Sequence, residues 1–162
     1  MSDAGAMTRP ELTTITAVDT AVVRGVVPTS DLPSFFDRSF AALGAQMAHL
    51  GVTPTGPAFA YYSSAPGTVT HLEVGFPVDG RVEGGEQGGD VVASRLPGGR
   101  VATAVHQGGY EGLGQSWLRL LEWVAQQGLS PAPGYWEVYL TEPTPGGDPA
   151  THRTALYLHL PG

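Results

Sequence analysis

The chain repeats itself, and this limits its fold more than any other feature. Gly51 to Tyr62 (GVTPTGPAFAYY) returns at a constant offset as Gly128 to Tyr139 (GLSPAPGYWEVY). Each copy follows a segment with helical periodicity and opens a segment with strand character. Before the first copy, Ala21 to Val27 is short, apolar and β-branched and reads as a strand. Ser30 or Asp31 then caps a helix with Pro33 in its first turn, and Phe36, Phe40, Leu43, Met47 and Leu50 form its apolar stripe up to Gly51. Strands follow at Ala58 to Ser63 and Thr68 to Val78, then an exposed Gly/Glu-rich loop at Asp79 to Asp90. The second round has strands at Val91 to Leu96 and Arg100 to Gln107. A helix from Tyr110 to Gln127 carries the stripe Leu113, Trp117, Leu120/Leu121 and Val124, and Gly128 ends it. Strands at Tyr135 to Thr141 and His152 to Leu160 flank a Pro/Gly loop at Glu142 to Ala150.

A β-α-β-β unit cannot bury its helix face alone, so two of them pair. The expected fold is α+β: a duplicated β-α-β-β unit with pseudo-twofold symmetry. Its antiparallel sheet carries both helices on one face and a ligand cleft on the other. Residues 1–14 are expected to be a flexible tail. Residues 15–162 form a single domain whose halves run over about 17–80 and 91–161.

Composition removes several function classes. The net charge is −7, and the 8 basic residues are all arginines, scattered along the chain. A phosphate-gripping surface needs a basic patch, so nucleic acid is not expected as a direct partner, and the field favours a cationic or neutral ligand. With no cysteine, thiolate chemistry, disulfides and Cys-zinc sites are excluded. No cofactor is expected, and no metal, because His71 and His159 lack a third ligand at a telling spacing. The absence of a long apolar run or signal core predicts a cytoplasmic protein without membrane contact.

Alternation along the strands points to a site. Trp136, Val138 and Leu140 read as the face under the helices, leaving Tyr135, Glu137 and Tyr139 on the open face. The last strand splits into Leu156, Leu158 and Leu160 against Tyr157 and His159, and the strand at 68–78 sets Leu72, Val74 and Phe76 against His71 and Glu73. Tyr62 is the repeat mate of Tyr139. Together these place Tyr62, Tyr135, Tyr139, Tyr157, Glu73 and Glu137 on one surface. Aromatic faces attract cations, and a half-desolvated carboxylate adds a charge partner, so this surface suits a planar or cationic organic ligand. The plain alternative is that tyrosine is simply a good strand former and that Glu137 pairs with an arginine such as Arg153.

The run His106 to Leu113 (HQGGYEGL), then Trp117, Leu120, Trp123, Gly128, the strand Tyr135-Trp136-Glu137-Val138-Tyr139 and Pro143, resembles the GyrI-like small-molecule-binding superfamily in order and spacing. The agreement covers Arg100 to Pro161 and extends more weakly back to about Ala17. The resemblance implies an effector-binding domain similar to those of drug-sensing MerR-type and AraC-type regulators. In that family the Glu of the Glu-x-Tyr strand lies at the cleft floor and meets cationic aromatic ligands, a role that carries over to Glu137. Tyr62, Tyr139, and Tyr110 or Trp117 would be the cleft aromatics. No helix-turn-helix sequence accompanies the domain, so sensing or sequestration without DNA contact is expected. One alternative is a hydrolase that opens strained cyclopropanoid electrophiles, with Glu137 as general base and Tyr139 or Tyr110 polarising the departing oxygen. Another is a module that inhibits DNA gyrase through the acidic loop Glu83 to Asp90. An exposed strand edge permits a homodimer.

Overall fold

In the computed structural model, the residues described are 6–63, 67–79, 91–109, 112–141 and 152–161. The strands are β1 (Ala6–Met7), β2 (Glu11–Ile15), β3 (Val18–Pro28), β4 (Phe59–Tyr62), β5 (Val69–Pro77), β6 (Val91–Leu96), β7 (Gly99–Gln107), β8 (Tyr135–Tyr139) and β9 (Arg153–His159). The helices are α1 (Leu32–Leu50) and α2 (Leu113–Gln126). The fold is α+β, and the pairings within each sheet are antiparallel. Residues 80–90 and 142–150, where loops are expected, and Tyr110 lie outside the described residues.

The chain divides into two compact units, Thr16–Gly98 and Met1–Ile15 with Gly99–Gly162. In the first, the strand order is β4-β5-β3-β6 and α1 covers one face. In the second, β7 pairs with β1 and β2 on one side and β9 on the other, β8 lies beyond β9, and α2 covers one face. Both units therefore have the second strand after the helix inserted between the first and the strand that precedes the helix. Glycines in the left-handed region end or follow both helices as the sequence suggests, Gly51 at φ 70° and Gly128 at φ 75°.

Three expectations change. Part of the supposed tail is sheet: Ala6–Met7 and Glu11–Ile15 pair with β7. Polar side chains hid this, because an edge strand with an exposed pattern buries little and still gains ladder hydrogen bonds. The boundary between halves also moves, because Val91–Leu96 pairs with β3 and so belongs to the first unit. Finally, α1 is turned from the expected stripe. Its buried residues are Phe35, Ser39, Leu43 and Met47, with Phe36, Phe40 and Leu50 only half-buried. The reason is Gly25: the Phe35 ring occupies the space that a side chain there would need. Phe40 instead meets Phe76 edge-on at 5.8 Å from the margin of the interface.

Candidate functional site

The site is built on the face of the second unit that α2 covers. In an antiparallel ladder, directly paired residues share a face. Glu137 pairs with Leu156, Tyr135 with Leu158, and Tyr139 with Thr154. Leu156 and Leu158 pack with Ala102, Ala104, Leu120, Val124 and Leu160 in a cluster that joins the sheet to α2. Tyr135, Glu137 and Tyr139 therefore point at the helix, not away from it. The side chains expected beneath the helix lie on the opposite face, where Trp136 stacks on Tyr157 at 5.3 Å and 10°.

Helix α2 buries Ser116, Leu120 and Val124, which leaves Trp117 half-buried beside this stripe. From there the indole leans over β8. It meets Tyr135 edge-on at 5.0 Å, and its Nε1–H donates to Glu137 Oε2 at 2.7 Å. Tyr139 donates its hydroxyl to Glu137 Oε1 at 2.9 Å. Glu137 is only 8% exposed. Among the described residues, the salt bridges are Arg24–Glu73 and Arg95–Asp19, and neither involves Glu137. The suggested partner Arg153 is exposed and alternates with Thr154, so its side chain lies on the face opposite Glu137.

Burial pushes the Glu137 carboxyl above the ordinary carboxylate value. The Trp117 and Tyr139 hydrogen bonds and the field of His106 pull the other way without overcoming it. Hydrogen bonds to a charged group contribute about 1.5–3 kcal/mol each, whereas removing a carboxylate from water costs several. Two neutral donors thus offset much of that cost and leave the charge without a counter-ion. The Tyr135 hydroxyl is pushed up to about 12, first by burial and then by Glu137.

Sequence reasoning overlooked what holds this arrangement. His106, which its motif alone does not mark as structural, is fully buried, with both ring nitrogens engaged. The Gly109 carbonyl, 2.9 Å away, can only accept, so Nε2 carries the proton. Ser116 Oγ lies 2.6 Å from Nδ1. Since Ser116 directly precedes Trp117, this pair fixes the start of α2 and so the indole above Glu137. The signal was the run Ala102-x-Ala104-x-His106, a lone polar residue at the end of an apolar face.

The other expected residues fall elsewhere. Tyr157 lies on the face opposite Glu137, as does His159, because both alternate with Leu156 and Leu158. Tyr62 pairs with Leu72 in the first unit, so it points toward α1. Glu73 belongs to that unit too; it accepts from Arg24 Nε at 2.8 Å and from Ser94 at 2.7 Å. It lines a shallow groove of about 260 Å³ with Arg24, Val26 and Tyr61. His71 is exposed. Tyr110 lies outside the described residues. Among the described residues no cluster of three metal-ligating side chains occurs, and no helix is long and apolar enough to cross a membrane.

The model of the GyrI-like small molecule binding domain matches residues 8–161. The chain belongs to the GyrI-like family. No curated protein sequence matches significantly. Among solved structures, the C-terminal domain of EcmrR is similar, with a TM-score of 0.76 and 20% identity over 94% of this chain and 97% of that one. This GyrI-like chain spans 56% of the EcmrR chain seen in its DNA complex. SAV2435 bound to tetraphenylphosphonium superposes with a TM-score of 0.70 at 10% identity, covering 96% of this chain and 95% of that one. A hydrolase from Listeria innocua gives 0.64 at 14% identity over 94% and 92%. At these identities the likeness establishes a shared fold.

Proposed function

We propose that this GyrI-like chain binds a hydrophobic, cationic aromatic small molecule at Glu137, for sensing or sequestration. The observation that carries this reading is a carboxylate held in a nearly closed, aromatic setting by two neutral donors, with no salt bridge among the described residues. Such an arrangement is unfavourable unless a positive charge arrives. Trp117 and Tyr135 offer the aromatic surfaces that an aryl cation prefers. The occupant takes the place of the Trp117 indole over Glu137, so binding perturbs this tryptophan. The GyrI-like fold of a tetraphenylphosphonium-bound protein supports the same ligand class.

The test is calorimetric titration with tetraphenylphosphonium. The wild type binds it saturably, and Glu137→Gln, which keeps the shape, accepts from Trp117 through its amide oxygen and donates to Tyr139 through its nitrogen, and removes the charge, weakens binding about 10- to 100-fold. Equal affinity in the two proteins contradicts the proposal.

A second reading has its own support in the carboxyl pKa, raised by burial, with the Tyr139 hydroxyl beside it. Here Glu137 takes a proton from water as the water oxygen bonds to a cyclopropane carbon; the strained ring C–C bond breaks, and its electron pair passes to the electrophile's conjugated carbonyl oxygen, which the Tyr139 hydroxyl protonates. This reading expects turnover of such an electrophile that Glu137→Gln abolishes while the electrophile still binds. An unchanged rate in that variant excludes it.

A further inference from the structure

Thr154 lies in the row of paired residues next to Glu137. It is directly opposite Tyr139 on β8 and His106 on β7, so its side chain shares their face beneath α2. It is 0% exposed, and its Oγ1 has no hydrogen-bond partner. The hydrogen bonds of its neighbours run to other groups. Tyr139 bonds Glu137, Ser116 bonds His106 Nδ1, and His106 Nε2 bonds the Gly109 carbonyl. A buried hydroxyl without a partner is costly, and nearly all such groups in folded proteins are satisfied. Thr20 and Ser39 are also buried hydroxyls without a partner, but both belong to the first unit.

We infer that Thr154 is a specificity-determining residue of the Glu137 site, and that the preferred occupant is an aromatic cation bearing a hydrogen-bonding substituent. This rests on the binding role proposed above for Glu137. Threonine both donates and accepts, so an amino, hydroxyl or carbonyl substituent serves equally. Directly opposed side chains on a sheet start about 5 Å apart and diagonal ones about 7 Å. The positive centre over Glu137 and the substituent at Thr154 are therefore separated by the width of roughly one or two fused rings.

A matched pair of probes tests this: ethidium, with two aromatic amines, and the same phenanthridinium cation without them. Charge, rings and shape are shared. Thr154→Val keeps the shape of the residue and removes the hydroxyl; Thr154→Ser restores it. In the wild type and the serine variant, ethidium is expected to bind about three- to tenfold more tightly than its deaminated analogue, and the valine variant removes that preference by weakening ethidium alone. If Thr154 serves only a buried water, Thr154→Val changes thermal stability and leaves the ratio of the two affinities unaltered, which overturns the inference. Glu137→Gln run beside it weakens both probes alike if the underlying reading holds. If neither probe binds the wild type, that reading fails and this one with it.

Discussion

At the scale of single residues, Glu137 makes an unusual claim on stability. Its folded pKa lies above the unfolded value because burial disfavours the charge. Its contribution to stability is therefore fully present below the unfolded pKa of about 4.3 and is lost as pH rises through the folded pKa. Glu137→Gln removes the charge and has the one-acceptor, one-donor pattern of the neutral acid. The variant should match the wild type near pH 4 and melt progressively higher than it as pH rises to 7, by calorimetry or circular dichroism. A melting-point difference independent of pH would show that the carboxylate is not strained. Residue types were legible here: the Glu-x-Tyr strand and Trp117 do meet. Side-chain direction was not. Alternation sorts a strand into two sets but does not say which set faces the helix. Trp136 and Val138 looked like the core, while Leu156 was assigned there too. Once Glu137 is seen opposite Leu156, those two assignments cannot both stand. Register is a relation between strands, and no single strand contains it.

At the scale of elements, the start of α2 decides whether Glu137 is covered. Gly112 N–H donates to the Gly109 carbonyl at 3.1 Å, Ser116 holds His106, and the indole of the next residue lies on the carboxylate. Ser116→Ala leaves the buried Nδ1 of His106 unsatisfied, with an expected loss of about 1–3 kcal/mol in chemical denaturation. Trp117 should also become more mobile, seen as a shift in tryptophan emission that Ser116→Thr reverses. No loss of stability would mean that the helix start is held by other contacts. Helix positions and their glycine stops were legible, because periodicity and Gly51 and Gly128 mark them. The rotation of α1 was not, since its cause is the absence of a side chain at Gly25 on a strand distant in sequence.

At the scale of the whole molecule, the repeat was the most informative feature. It agrees with the strand, helix, strand, strand order that recurs along the chain. It failed where pairing departs from chain order: the N-terminal strands join the second unit and β6 joins the first. Short polar strands carry little pattern, and only the partner that accepts them reveals them. A chain of net charge −7 and a buried carboxylate without a salt bridge among the described residues favour the same kind of ligand, one that brings positive charge into an aromatic setting. The most direct test is a carboxyl ¹³C NMR titration of Glu137, assigned by its loss in Glu137→Gln, with and without saturating tetraphenylphosphonium. The expected result is a midpoint above the usual carboxylate range in the free protein, lowered when the cation is bound. A midpoint in the ordinary range that the cation leaves unmoved would contradict the account.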